Sequence, residues 1–177
     1  MAVKHAATDK IVIVKPIELI ESRRLHAARL AAEGGSAGEL NILAEREDWT
    51  PRPRGAALKN LLAALRSTGI TIKGSSFDAI SLPKGRSIDF SDATSVRTAL
   101  PEMVFIEIKT SNQERVDGNF TGYFFALTEG EIAASEVLGE RHRVALYNRR
   151  TGSLVITSVA AILARARSMN WQVSVQL

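Results

Sequence analysis

The sequence predicts an α/β (α+β) fold in which helices come first and strands follow. Three observations predict it. Apolar residues recur at helical spacing in Ile17 to Ala32 and again in Ala56 to Ser67. After Gly69 the pattern changes to short runs bounded by Gly, Pro and Ser. One of these runs, Met103 to Thr110, is β-branched and aromatic and reads as a buried strand.

The chain of 177 residues suits one domain, or one domain with a small appendage: a helical N-terminal portion, residues 1–55, packed on or appended to an α/β core, residues 56–177. There is no cysteine, which excludes a disulfide framework, a thiolate metal site and a thiol nucleophile. No apolar run approaches the roughly 20 residues that span a bilayer, and Met1 to Lys10 lacks the apolar core of a signal peptide. The expectation is a cytoplasmic protein with no membrane association. A net charge of +4 and a pI of about 9.7 favour a polyanionic partner.

Taken in order, Met1 to Asp9 is polar, and Ile11 to Val14 reads as a short strand; Pro16 either stops it or opens the next helix at its first turn. The helix Ile17 to Ala32 stops at Gly34-Gly35-Ser36. A second short helix runs from Ser36 or Ala37 to Glu47, with Leu40, Ile42, Leu43 and Ala44 inward. Trp49 to Gly55 reads as an irregular connector, because two prolines interrupt it. The helix Ala56 to Ser67 is the strongest in the sequence, and Gly69 closes it.

Ile70 to Lys73 alternates like a strand, and turn signals flank Phe77 to Leu82. Arg86 to Ser91 reads as the next strand, with Asp89 on the face opposite Ile88 and Phe90. Asp92 to Leu100 is a short helix or loop that Pro101 stops. After Met103 to Thr110 comes a polar loop, Ser111 to Gly118, and then a strand, Gly122 to Leu127. Thr128 and Glu131 fit a capping box for a helix ending near Leu138. Strands at Arg143 to Asn148 and Leu154 to Ile156 flank a turn, Arg149 to Gly152; Ser158 caps a helix to about Arg167, and Trp171 to Val175 closes the chain as a strand.

Two charges break the central run. Glu107 and Lys109 stand two apart and so share one face with Phe105, while Val104, Ile106 and Ile108 face the other way. Charges at the end of a core strand are costly unless paired or used. On these residues alone, the pair is either a solvated ion pair or a working one.

The order of elements from Ala56, with an acid on one strand and Glu107-Ile108-Lys109 on the next, resembles the core of the PD-(D/E)xK nuclease superfamily over roughly Ala56 to Asn148. A narrower likeness is to the nuclease-like domain at the C-terminus of the plant NO VEIN protein, carried by Phe105 to Lys109, Tyr123 to Glu131 and Val144 to Asn148. The resemblance implies a mixed central β-sheet flanked by helices, with a restriction-endonuclease-like core. It also implies an endonuclease hydrolysing DNA with Mg²⁺ or Mn²⁺. Asp89, Glu107 and the Ile108 carbonyl would hold the metal, and Lys109 would serve the attacking water. Ile88 stands where the family has proline, and Asp78 and Asp92 compete with Asp89. Glu39 and Glu45 are the acids available from an earlier helix, and Glu131 reads as a helix cap.

Candidate nucleic-acid contacts are Arg52, Arg54, Lys59, Gln113, Arg149 and Arg150. The N-terminal helices, with Lys59 and Arg66, form either a helix-turn-helix-like unit or a cover for one sheet face and a dimer surface. A homodimer is expected, since cutting both strands of a two-fold site suits two-fold symmetry. The competing functions are a catalytically inactive DNA-binding or protein-interaction module and a helix-turn-helix regulator. His5, His26 and His142 have no metal-site spacing, and neither a Walker-type loop nor a Gly-x-Ser-x-Gly elbow is present.

Overall fold

The computed structural model describes residue 39 and residues 41–167. The expected elements at Ile11 to Val14, Ile17 to Ala32 and Trp171 to Val175, and with them His5 and His26, lie outside the described residues. Residues 39 and 41–45 are helical, within the second expected helix.

Five strands make one open mixed sheet in the order β1-β2-β3-β4-β5: β1 (Trp49–Pro51), β2 (Ala79–Ser81), β3 (Val104–Ser111), β4 (His142–Asn148) and β5 (Ser153–Thr157). β2 runs antiparallel to both β1 and β3, β4 runs parallel to β3, and β5 returns antiparallel to β4. The helices are α1 (Gly55–Ser67), α2 (Ala93–Ala99), α3 (Glu129–Leu138) and α4 (Val159–Arg165). The parallel step from β3 to β4 needs a crossover, and α3 provides it.

The strand period sorts β3 onto two apolar layers. Phe105 packs with Leu61, Ala64 and Leu65 of α1, Val96 of α2, and Ala134 and Leu138 of α3. Its ring meets Phe77 edge-on at 5.1 Å. On the other face, Ile106 and Ile108 pack with Ile42, Trp49, Ala79, Ala145 and Tyr147. A third cluster joins Val144 and Leu146 of β4 to Val116, Phe120 and Val159.

Four local expectations differ from the structure, and one reason covers three of them. Ile70 to Lys73, Arg86 to Ser91 and Gly122 to Leu127 are not strands. Their alternation is real: Ile70, Ile72, Ile88 and Phe90 pack against the first cluster, and Tyr123, Phe125 and Leu127 against the third. Both edges of β2, β3 and β4 are already occupied, so these extended segments lie on the core without a ladder. The fourth difference is Trp49 to Pro51, expected to be irregular. It forms β1, an edge strand, where a proline is tolerated because one side of the strand needs no ladder hydrogen bonds.

Helix ends follow their caps. Asp92 accepts from the backbone N–H groups of Thr94 and Ser95, Ser158 Oγ accepts from Ala161 N–H, and Thr128 and Glu131 form the full capping box. No helix among the described residues is long and apolar enough to cross a membrane.

The Phe105 environment yields a stability prediction. Phe105→Ala should cost about 3–5 kcal/mol in urea unfolding, whereas Val137→Ala, half-exposed on α3, should change stability by about 0.5 kcal/mol or less.

Candidate active site

The site is built where the β2–β3 ladder ends. The register pairs Ala79 with Ile106 and Ile80 with Phe105, so the next position puts Asp78 opposite Glu107. Asp78 still donates its N–H to Ile106 O (2.8 Å), but the ladder stops there. The next β3 donor on that edge, Ile108 N–H, is taken by the Asp78 carboxylate instead (Oδ2, 2.9 Å). N–H and C=O of one strand residue share an edge, so the Ile108 carbonyl also points to the Asp78 side.

The turn that presents Asp78 is tied by Arg52. Its N–H donates to Asp78 O (2.8 Å), and its guanidinium donates to Gly74 O (3.2 Å) and Phe77 O (2.9 Å). The half-buried Glu39 is close enough to feel the charges of Asp78, Arg52 and Lys109, and burial raises its pKa.

Lys109 Nζ lies 2.8 Å from Glu107 Oε1 and 2.9 Å from Glu131 Oε2, with all three side chains largely buried. The same Glu131 oxygen accepts Thr128 N–H (3.0 Å). Glu131 therefore caps α3 and holds Lys109 with one carboxylate. The expectation of a helix cap is met, and the ion pair to Lys109 is additional. A capping-box motif gives no sign of which strand the helix N-terminus will meet.

Burial and the neighbouring Asp78 carboxylate push Glu107 up to about 9, against the pull of Lys109. Asp78 is raised too, chiefly by burial, although the Ile108 N–H favours its charged form. Lys109 is pulled down by burial, but Glu107 and Glu131 outweigh that and hold it charged. Both carboxyls thus hold a proton more tightly than isolated carboxylates do.

Asp89 holds no such position. It is exposed, in no strand, and its Oδ1 accepts from Ser91 N–H (2.8 Å) and Ser91 O–H (2.6 Å). Asp92 caps α2. The strand-end place facing Glu107 belongs to Asp78, which the sequence offered only as a competitor. Its signal was weak because β2 has three residues and the acid precedes them.

The expected nucleic-acid contacts are dispersed. Arg52 is engaged by the turn below Asp78. Arg54 sits exposed at the N-cap of α1, and Lys59 is exposed on that helix. Gln113 Oε1 accepts from Arg115 Nε (2.9 Å), and its carbonyl accepts from Asn148 Nδ2 (2.9 Å). Arg149 N–H donates to Ser111 O (2.9 Å), and Arg150 pairs with Glu114 at 3.4 Å. Glu45 accepts from the Tyr147 hydroxyl (3.1 Å) on the other apolar face.

Among the described residues no group of three or more His, Cys, Asp or Glu has the arrangement of a metal cage. Two facing carboxyls with raised proton affinity form a different donor set. Hard oxygens suit Mg²⁺ or Mn²⁺, which keep several waters and need few protein ligands. A divalent charge would relieve the repulsion that now favours protonation. Asp78 and Glu107 thus fit such an ion, with the Ile108 carbonyl on the same edge.

Compared with family models, with curated proteins and with solved structures, the chain matches none.

The raised Glu107 has a pH consequence. Its proton is held in the folded chain up to about pH 9, while an unfolded glutamate loses it near 4.5. The folded state binds more protons across that window, so stability falls as pH rises. His142, lowered by burial from 6.5, acts below that pH and in the opposite sense. In EDTA, urea unfolding should show a loss of stability from pH 7 to pH 9 that Glu107→Gln largely abolishes. An unchanged slope in that variant would place the titration elsewhere.

Proposed function

We propose that this chain is a metal-dependent endonuclease of the PD-(D/E)xK type, hydrolysing phosphodiester bonds of DNA with Mg²⁺ or Mn²⁺. The observation that supports this most is the placement of Asp78 one position beyond the last β2–β3 ladder pair, opposite Glu107, with Lys109 two residues further on the same face. The sheet order agrees with the reading: a strand immediately preceded by the first acid, an adjacent strand bearing Glu107-Ile108-Lys109, then a helical crossover to a parallel strand. The first acid is Asp78 in place of Asp89, and Phe77 precedes it.

Asp78 and Glu107 would hold the ion, with the Ile108 carbonyl as the backbone ligand. The bound ion supplies positive charge for the phosphate and acidity for a water. Asp78 is fixed by the Ile108 N–H and by the Arg52-tied turn, so its oxygens need little reorganisation. Lys109 is charged between Glu107 and Glu131. It therefore acts as a hydrogen-bond donor and positive charge toward the water and phosphate, not as a neutral base. Glu131 anchors Lys109 to the helix terminus, so Lys109 would keep a partner with Glu107 committed to the ion.

The test is cleavage of plasmid and single-stranded DNA in Mg²⁺, Mn²⁺ or EDTA. Cutting should require the cation and fall at least about 100-fold in Asp78→Ala, Glu107→Ala and Lys109→Ala. Asp89→Ala should cut like the parent chain. Cutting that survives Glu107→Ala, or that Asp89→Ala removes, would sink this assignment of the site.

A further inference from the structure

The connection from β3 to α3, residues 112–128, presents Phe124 at 79% exposure, against 50% for Val137 and 44% for Ile156. Single exposed apolar side chains are ordinary, so exposure alone decides nothing. What distinguishes Phe124 is how its segment is held, and where.

The segment is a series of ordered turns. Asp117 Oδ1 accepts the N–H groups of Asn119 (3.0 Å) and Thr121 (2.8 Å). Phe120 takes a left-handed backbone conformation, φ 60°, which a bulky side chain adopts only when its surroundings enforce it. Tyr123 packs on Phe120 and Phe125, with ring centroids 5.8 and 5.1 Å away. Residues 123, 125 and 127 turn inward, leaving Phe124 and Ala126 outward.

Both ends of this stretch are pinned to the candidate site. The Tyr123 hydroxyl donates to the carbonyl of Thr110, the residue after Lys109. Thr128 N–H donates to the Glu131 oxygen that also receives Lys109 Nζ. Phe124 is thereby fixed between two anchors to Lys109 and its immediate neighbours.

Arginines border the same connection. Arg115 is exposed within it, Arg149 follows β4 with its N–H on Ser111 O, Arg150 pairs with Glu114, and Arg165 of α4 donates to Asn119 O (2.8 Å). The two acids of the connection are Glu114, paired with Arg150, and Asp117, committed to its turn.

An exposed aromatic ring on a connection whose first half is contacted by arginines has the elements of single-strand recognition: bases stack on the ring, and the backbone follows the cations. A duplex offers no base face to such a ring. We infer that Phe124 and its arginine border form a stacking platform for an unpaired base, so that the substrate is single-stranded or frayed nucleic acid whose adjoining phosphate reaches the Asp78–Glu107–Lys109 cluster. The fate of that phosphate rests on the nuclease reading; the stacking does not.

The test uses the full chain in EDTA with a short labelled oligothymidylate and a hairpin duplex. The parent chain should prefer the single strand. Phe124→Ala should weaken single-strand binding about tenfold and leave duplex binding unchanged. Phe124→Trp should retain affinity, with its indole emission quenched by the oligonucleotide. Equal affinity of the parent chain and Phe124→Ala, or no quenching in Phe124→Trp, overturns the platform. Stacking in a chain that never cuts DNA supports the platform and removes the nuclease reading. Cation-dependent cutting with single-strand affinity indifferent to Phe124 does the reverse.

Discussion

Asp78 carries a structural and a chemical load at the same point. Its carboxylate takes the Ile108 N–H that β2 no longer reaches, so it continues the ladder by one hydrogen bond beyond the strand. A carboxylate accepting a backbone N–H is a strong, charge-assisted interaction. The register that permits it also sets the part-buried Asp78 beside the buried Glu107, where the Asp78 carboxylate opposes the ionisation of Glu107. The turn below Asp78, the Arg52 guanidinium and the apolar packing of Phe77 all hold this juxtaposition in place.

Such an arrangement is poor design for stability alone. Buried ionisable groups contribute little net stability, and apolar replacements often do better. Here Asp78, Glu107, Lys109 and Glu131 meet at one end of the central strands, with Glu39 close by. The ion pairs neutralise Lys109 well, yet leave Glu107 with its proton affinity raised. That residual imbalance is what a divalent cation would correct, and it is the physical basis for reading the cluster as a working site.

Much of this was legible in the sequence, for identifiable reasons. The strand Met103 to Thr110 is long, apolar and β-branched, so its period-two split of Phe105, Glu107 and Lys109 from Ile106 and Ile108 follows directly from strand geometry. Caps at Ser158 and Thr128, and helix α1, are local signals that tertiary packing reinforced. The first acid was not legible. Arg86 to Ser91 alternates as a strand does, but Ile88 and Phe90 alternate because they pack on the core, with no strand partner. That pattern lent Asp89 a strand it does not have. Asp78 sits before a strand of three residues, too short to show a period. The Glu131–Lys109 contact depends on where a crossover helix lands, which no local pattern encodes.

The most direct measurement is calorimetric titration of Mn²⁺ into the chain at pH 7, in two buffers of different ionisation enthalpy. With Glu107 pushed up to about 9, the account predicts binding at pH 7 with release of about one proton per ion. The release should vanish in Glu107→Gln, and binding should fail in Asp78→Ala but persist in Asp89→Ala. No binding, binding without proton release, or binding undiminished in Asp78→Ala would contradict the account.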